Sequence, residues 1–372
     1  MAPGYIWQRD DWPGFRWDDA RLLSLLAAAR FRQGSLLGTM RTLGFDLRLQ
    51  SELEATADDV VQTSAIEGEL LDPVSVRSSI ARRLGLPEGG LAPADRTVEG
   101  AVDMILDAVR KFDAPLGDER IFAWHAGLFP TGYSGIHRID VGAWRQDKEG
   151  PMQVVSGAYG RQRVHYEAPP TVRVPAEMKT FMAWFNGGSA NLDGLLRAGL
   201  AHLWFVTIHP LDDGNGRIAR AIADLAIAQT ERIGHRFYSM SSQIQRDRAA
   251  YYEILEATQR ADLDVTEWLI WFAESYARAI DAAEALSRKV IAKAKFWQAQ
   301  AAEPPFSERQ QKVLNRLLDG FDGNMTARKW SSLCGCSMDT AQRDMADLVR
   351  RRLLARNPGG SKNTSYRFTW TS

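Results

Sequence analysis

Apolar residues recur at helical spacing along most of this 372-residue chain, and clusters of Gly and Pro interrupt the pattern. Such periodicity predicts amphipathic helices packed on one another, so the expected fold is mainly α. Asp118 is a candidate N-cap for one of these helices. The predicted helical segments are 22–29, 36–47, 53–66, 97–109, 119–128, 192–208, 218–228 and 266–302.

Two stretches depart from the helical pattern. The segment LGLPEGGLAP at 84–93 contains too many helix breakers to continue a helix and predicts a connector. Within 141–175, Val154, Val155, Val164 and Tyr166 flank the polar run SGAYGRQR, which predicts a short β-hairpin.

Composition excludes several broad classes of protein. Lys plus Arg and Asp plus Glu number 46 each, so no overall charge attracts nucleic acid or a membrane surface. The two cysteines, Cys334 and Cys336, are too close in sequence for an unstrained disulfide. The N-terminus has no apolar signal core, and no later run is long enough to span a membrane. We therefore expect a cytoplasmic protein with no membrane partner.

The last part of the chain has a distinct pattern. After Glu303-Pro304-Pro305, three helical segments at 308–318, 327–333 and 339–351 precede two short apolar runs, at 353–355 and 366–368. This order predicts a winged helix-turn-helix at 305–372. From Pro305 onward, twelve Lys or Arg outnumber six Asp or Glu, which suits phosphate contacts. The candidate recognition helix also carries acidic residues, so contact with DNA and contact with a protein remain equally open.

The segment HPLDDGNGRIAR, residues 209–220, combines several chemical functions at the predicted start of a helix. Gly214, Asn215 and Gly216 allow a sharp turn that presents backbone N–H groups to an anion, and the helix N-terminus reinforces that site. Arg217 and Arg220 lie three residues apart and project to the same side of the helix. We call this pair the clamp arginines, since two guanidinium groups beside such a turn can hold a polyphosphate.

Two further side chains of this segment have catalytic potential. Asp213 supplies an oxygen ligand for Mg²⁺, which binds one or two carboxylates together with phosphate oxygens. His209 can accept a proton near neutral pH. A turn with a purely structural role would not need a base, a carboxylate and two arginines, so their combination indicates a functional site.

This segment resembles the signature of the Fic family, approximately HPFxxGNGRxxR with an acidic fifth position. Leu211 replaces the usual Phe and is expected to pack inward. The approach helix AHLWFVTIHP and the VGAWR segment with its hairpin support the resemblance, which covers 96–278. It implies a Fic-type helical core that binds ATP with Mg²⁺ and transfers AMP to a Ser, Thr or Tyr hydroxyl of a target protein.

The resemblance also implies the roles of individual residues. His209 would deprotonate the hydroxyl, Asp213 would hold Mg²⁺, and the clamp arginines would hold the outer phosphates, with the amides of 214–216 cradling the inner ones. The hairpin would be the flap that aligns the target, and two tyrosines would lie near adenine. The flap and adenine-side residues are Val154, Val155, Ser156 and Gly157, and Tyr251 and Tyr252.

A second motif precedes this segment in the chain. TSAIEG, residues 63–68, is typical of a helix C-terminus that ends at Gly68. It also resembles the inhibitory motif [S/T]xxxE[G/N] of some Fic proteins. The resemblance implies that Glu67 pairs with Arg220 and misplaces ATP, with Thr63 or Ser64 fixing the helix. Whether Glu67 also helps remove AMP from a modified target stays open.

These patterns predict four parts: an N-terminal helical domain with the inhibitory motif (1–94), a Fic catalytic domain (95–280), a helical linker (281–304) and a winged helix-turn-helix (305–372). The leading hypothesis is an autoinhibited protein adenylyltransferase that forms homodimers. One alternative is a DNA-binding regulator whose core only senses nucleotide, and another is transfer of a different phosphate-containing group.

Overall fold

The computed structural model describes residues 4–86, 94–146, 150–157, 163–301, 304–318, 320–321, 323–358 and 364–370. Contacts between residues divide the chain into two compact units, Met1–Ala283 and Glu284–Ser372. The finer division into four domains stays a prediction. The connector predicted at 84–93 lies mostly outside the described residues.

Helices build the first unit, as the periodicity predicts, and the mainly α fold class is confirmed. The last of these helices runs on past the boundary of the unit. They are α1 (Asp19–Thr42), α2 (Phe45–Ile66), α3 (Pro73–Leu84), α4 (Arg96–Arg110), α5 (Asp118–Leu128), α6 (Val174–Ala183), α7 (Gly194–Ile208), α8 (Asn215–Glu231), α9 (Met240–Arg246), α10 (Arg248–Gln259) and α11 (Thr266–Gln300).

Several predicted helix boundaries are wrong. The segment 22–29 and the first part of 36–47 belong to one helix, α1, which ends at Thr42, and α2 begins at Phe45 and not at residue 53. The apolar period continues across this break, but the backbone at Gly44 is extended, with φ −59° and ψ 158°. Asp118 is the first residue of α5 and not its N-cap, which is Gly117.

Helices α3, α6, α9 and α10 were not among the predicted segments. A start signal for α3 was nevertheless present in the sequence, because Asp72 caps the N–H groups of Val74 and Ser75, and Pro73 is the first helical residue. Gly85, with φ 72°, ends this helix. Helices α9 and α10 are short and are separated only by Asp247, so their apolar periods are too brief to stand out.

The central element of the first unit is α7. Almost every residue from Gly194 to Ile208 is buried, as expected of a helix that is apolar on all sides and is therefore enclosed by other elements. Helix α8 packs along it, and α2, α4 and α5 pack against α8. The loop between α7 and α8, residues 209–214, is thus held between rigid elements.

Two antiparallel strand pairs belong to the first unit. The predicted hairpin is present as β3 (Gln153–Ser156) and β4 (Arg163–Glu167), with Val154 opposite Tyr166 and a bulge between Val154 and Val155. A smaller pair, β1 (Tyr133–Ser134) and β2 (His137–Arg138), was not predicted. Strands of two residues are too short to produce an alternating pattern.

The second unit has the order of elements that the sequence predicts. Its helices are α12 (Glu308–Leu318), α13 (Ala327–Cys334) and α14 (Met338–Arg350), and β5 (Leu354–Arg356) pairs antiparallel with β6 (Tyr366–Phe368). Trp330, Met345 and Leu348 belong to a separate core. The winged helix-turn-helix assignment and its choice of partner stay predictions. Among the described residues, no helix has the length and apolar character needed to cross a membrane.

A close contact between two glycines gives a prediction about stability. A β-carbon on Gly100 of α4 would lie 1.9 Å from the carbonyl oxygen of Gly127 in α5. Gly100→Ala should therefore force these helices apart and cost about 3 kcal/mol, lowering the Tm by about 5–10 °C in a thermal melt. Gly34→Ala is the matched control, because nothing lies within 4 Å of its added carbon. An unchanged Tm for Gly100→Ala would contradict this packing.

Candidate active site

Two residues with positive φ shape the loop between α7 and α8. His209 ends α7 with φ 51° and ψ 56°, and Gly214 precedes α8 with φ 78°. A positive φ at a histidine is uncommon and is often found at functional sites. The Asn215 side chain closes the loop, since its amide accepts from Leu211 N at 3.0 Å and donates to Leu211 O at 2.8 Å. Leu211 itself is fully buried, as predicted.

The hydrogen bonds of His209 define which ring nitrogen can act as a base. Nδ1 lies 3.1 Å from the Val206 carbonyl oxygen, which can only accept. Nδ1 therefore carries the proton in the neutral ring, and Nε2 keeps its lone pair. Burial lowers the pKa of His209 below its ordinary value of 6.5, and the Arg145 cation acts in the same direction. The imidazole is thus neutral at physiological pH.

Arg145 of the VGAWR segment fixes the backbone around His209. This buried side chain donates from Nε to the His209 carbonyl oxygen at 2.7 Å, and its own backbone N–H donates to Pro210 O at 2.9 Å. A further bond from Arg145 reaches Pro169, just beyond β4. The VGAWR segment contributes to the family resemblance, but no role was predicted for Arg145.

The N-terminus of α8 is the candidate anion site. Among the described residues no side chain caps this end of the helix, so its first N–H groups are available to a ligand. The side chains of Arg217 and Arg220 are only 4% and 2% exposed. Arg217 Nε and Arg220 Nη1 have no hydrogen-bond partner among the described residues. Buried guanidinium groups with unpaired donors suit a multiply charged anion.

The end of α2 reaches this anion site. Glu67 Oε1 lies 2.8 Å from Arg220 Nη2, forming the ion pair that the resemblance implies. Thr63 also contacts Arg220, accepting from Nε through Oγ1 at 2.7 Å and from Nη2 through its carbonyl oxygen at 2.9 Å. Burial disfavours the Arg220 cation, but Glu67 outweighs this and raises its pKa. Ser64 Oγ has no partner among the described residues, so Thr63 is the residue of the two that contacts the arginine.

The carboxylate of Glu67 lies directly against the glycine turn. A β-carbon added to Gly216 would be 2.1 Å from Glu67 Oε1. The carboxylate thus occupies space beside the α8 amides in which a phosphate oxygen could lie. Glu69, two residues further on, pairs with Arg217. The pair of Glu69 with Arg217 was not predicted, because the motif TSAIEG ends at Gly68.

Two hydrogen bonds hold the carboxylate of Asp213. Its Oδ1 accepts from Gly214 N at 2.6 Å, and its Oδ2 accepts from the hydroxyl of Ser134 at the end of β1. No role was predicted for Ser134. Within the part of the chain that the structure describes, no group of three or more His, Cys, Asp or Glu is arranged to hold a metal. A cation at Asp213 would therefore need further oxygen ligands from a bound substrate.

The two tyrosines predicted near adenine differ in their surroundings. Tyr251 is buried, its hydroxyl lies 3.0 Å from His202 Nε2, and burial raises its pKa. Tyr252 is partly exposed, and its hydroxyl donates to the Ile66 carbonyl oxygen at 3.4 Å, next to Glu67. Tyr251 is therefore enclosed within the first unit, whereas Tyr252 contacts the turn that carries Glu67.

The predicted flap is attached to both α7 and α10. Tyr166 of β4 donates to the carbonyl oxygen of Thr207, two residues before His209. Ser156 Oγ lies 2.6 Å from His165 Nε2, and His165 Nδ1 lies 2.6 Å from Glu256 Oε2. The flap residues Val155 and Ser156 are exposed. Strand β3 pairs only with β4 among the described residues, which leaves its other edge available.

Comparison with known protein families finds two matches. Residues 115–227 match the model of the Fic/DOC family, and residues 5–86 match a domain of unknown function, DUF4172. The first match contains Ser134, the predicted flap and the whole segment from His209 to Arg220. The second contains Glu67 and Glu69.

Individual proteins give a similar result. The protein adenylyltransferase fic-1 of Caenorhabditis elegans is 25% identical over 206 residues, which are 55% of this chain and 37% of that protein. The chain thus spans little more than a third of that relative. A Fic family protein from Desulfovibrio desulfuricans G20 has a similar fold, with a TM-score of 0.53, 18% identity and coverage of 94% of this chain and 96% of that one.

A second solved structure has a comparable fold. It is a Fic domain containing signaling protein from Bacteroides thetaiotaomicron VPI-5482, with a TM-score of 0.52, 17% identity and coverage of 70% of this chain and 98% of that one. At such identities these structures support the fold alone. The match over residues 115–227 therefore identifies this chain as one that contains a domain of the Fic/DOC family.

Proposed function

We propose that this chain is a protein adenylyltransferase, which transfers AMP from ATP to a hydroxyl group of a protein, and that Glu67 restrains this activity. The observation that carries the proposal is the combination at one loop of a histidine whose Nε2 keeps its lone pair and a candidate anion site with two buried arginines. The relative from Caenorhabditis elegans is a protein adenylyltransferase, which supports the same reaction.

In the proposed reaction the target hydroxyl gives its proton to His209 Nε2, and its oxygen forms a bond to the α-phosphorus of ATP. The bond from that phosphorus to the bridging oxygen breaks, and pyrophosphate leaves. Arg217 and Arg220 neutralise the charge on the leaving phosphates, and the α8 amides orient the phosphate chain. Positioning and charge neutralisation are the main contributions a protein makes to such a transfer.

Asp213 is the residue proposed to hold Mg²⁺, together with phosphate oxygens of ATP. An oxygen ligand fits this cation, and the bonds from Ser134 and Gly214 fix the orientation of the carboxylate. When bound, Mg²⁺ neutralises charge on the phosphates.

Inhibition follows from the position of Glu67. Its carboxylate occupies Arg220 and the space beside Gly216, so the outer phosphate of ATP would meet a negative charge there. ATP that binds in spite of this repulsion is displaced, and its α-phosphorus is poorly aligned with His209. A loss of alignment of about 1 Å can slow such a reaction about a hundredfold.

The free edge of β3 is proposed to receive the target protein. An extended segment that pairs with Val155 and Ser156 would form main-chain hydrogen bonds with little dependence on sequence. Because Tyr166 ties β4 to the end of α7, the segment would be held at a fixed position relative to His209.

The protonation of His209 predicts a pH dependence. Only the neutral ring accepts a proton, and the pKa of His209 is lowered below 6.5. The rate of a Glu67→Gly variant should therefore be constant through neutral pH and should fall only below pH 6.5, as measured by initial rates of pyrophosphate release. ATP binding should be measured over the same range as a control. A rate that already declines above pH 6.5 with constant ATP binding would contradict the assigned base.

The reaction itself can be tested by intact mass spectrometry. The Glu67→Gly variant, incubated with ATP and Mg²⁺, should gain the mass of one or more AMP groups and release an equal amount of pyrophosphate. A gain equal to a phosphate group would indicate a kinase, and release of pyrophosphate without a protein adduct would indicate hydrolysis. Either result would overturn the proposal. A DNA-binding regulator that only senses nucleotide would show no adduct.

A further inference from the structure

The turn after α2 places one carboxylate on each clamp arginine. Gly68, with φ 86°, reverses the chain after Glu67, and Glu69 N donates to the Ser64 carbonyl oxygen at 3.0 Å. This arrangement is a common way of ending a helix. It brings Glu67 to Arg220 and Glu69 to Arg217. The two ion pairs therefore belong to one structural element.

Arg217 depends on an anionic partner. Its side chain is 4% exposed, its guanidinium group lies 4.9 Å from the centre of the Phe129 ring, and Nε has no hydrogen-bond partner among the described residues. Within that part of the chain, Glu69 forms its ion pair. A buried cation is stable only when an anion compensates for its lost hydration. Either Glu69 or a phosphate group can be that anion, but the two cannot accept the same N–H group of Arg217 at the same time.

We propose that Glu69 is a second inhibitory carboxylate, which competes with an outer phosphate of the nucleotide for Arg217. This inference rests on the proposed function of the same site. The two glutamates have different consequences. Glu67 lies against Gly216 and disturbs the alignment of ATP, whereas Glu69 is 34% exposed and pairs with Arg217. Glu69 therefore weakens nucleotide binding and leaves the maximum rate unchanged.

The test measures binding and rate separately. Binding of a non-hydrolysable ATP analogue with Mg²⁺, measured by calorimetry, should be at least about fivefold tighter in Glu69→Gln than in wild type. Glu54→Gln is the matched control, because Glu54 has a similar exposure of 36% and also pairs with an arginine, Arg77, but lies within α2 and outside the anion site. It should bind like the wild type. Equal or weaker binding by Glu69→Gln would overturn the inference.

A second variant and a second background complete the test. Glu69→Asp keeps the charge but shortens its reach, and should tighten binding by a smaller factor. In a Glu67→Gln background, adding Glu69→Gln should lower the KM for ATP in self-labelling and leave kcat unchanged. An altered kcat with an unchanged KM would assign Glu69 a different role. Thermal melts verify that each variant is folded.

The outcomes separate this inference from the proposed function. Tighter nucleotide binding by Glu69→Gln, with no labelling of any variant, would support the inhibitory role of Glu69 and contradict AMP transfer. If Glu67→Gln is labelled but Glu69→Gln changes neither nucleotide binding nor the KM, AMP transfer would be supported and the inhibitory role of Glu69 contradicted. Absence of nucleotide binding in every variant would overturn both proposals.

Discussion

Glu67→Gly should raise the initial rate of pyrophosphate release by about ten- to a hundredfold over wild type. The substitution removes the carboxylate that holds Arg220 and lies against Gly216. Arg220 keeps its bonds to Thr63 and gains a free donor for the nucleotide. The outer phosphate then meets a positive charge in place of a negative one, and the α-phosphorus can align with His209.

A second substitution at Glu67 separates the effect of its charge from the effect of its volume. Glu67→Gln removes the charge but keeps nearly the full side chain, so its rate should lie between those of wild type and Glu67→Gly. Calorimetry should show that all three proteins bind ATP. If Glu67→Gly binds ATP but releases pyrophosphate no faster than wild type, Glu67 is not inhibitory.

His209→Ala should reduce the rate of a Glu67→Gly variant by about a hundred- to ten-thousandfold, the usual contribution of a general base. ATP affinity should change little, because the phosphates are held by the clamp arginines and the α8 amides. A large loss of rate with a constant dissociation constant is the signature of a group that acts in the transition state. Stopped assays of pyrophosphate release and calorimetry provide the two quantities.

A second histidine serves as the control for this prediction. His235 pairs with Glu52 and lies after α8, away from the loop at His209. His235→Ala in the same background should therefore retain the rate. A rate in His209→Ala within tenfold of its parent would show that another group accepts the proton.

The loop of the candidate site was predictable because its geometry is local. A positive φ at Gly214, a helix that starts at Asn215 and two arginines three residues apart all follow from neighbouring residues. The ion pair of Glu67 with Arg220 joins residues 153 positions apart. Periodicity and spacing carry no information about such a pair, and only the resemblance to a family suggested it.

The residues that were missed have partners that are distant in sequence. Arg145 reaches His209 over 64 positions, Ser134 reaches Asp213 over 79, and Glu69 reaches Arg217 over 148. For Glu69 a partial signal existed. A helix that ends at a left-handed glycine turns back on its last turn, which predicts that the residue after Gly68 stays near Glu67.

The fold was predicted best where helices are long and apolar. Helix α7 was recognised because its sequence is strongly apolar, in agreement with the burial of nearly all of its residues, and β3 and β4 were recognised because their apolar residues flank a polar turn. The break at Gly44 was missed because the apolar period continues through it, and β1 and β2 are too short to create a pattern.

The most direct test of the central claim is incorporation of label from ATP labelled at the α-phosphate, with Mg²⁺, into the wild type, Glu67→Gly and Glu67→Gly/His209→Ala. Self-modification is the readout, so no target protein is needed. We expect strong labelling of Glu67→Gly, weak labelling of the wild type and none of the double variant. Equal labelling of all three would contradict the roles of both residues, and absence of label in all three, despite measurable ATP binding, would contradict AMP transfer itself.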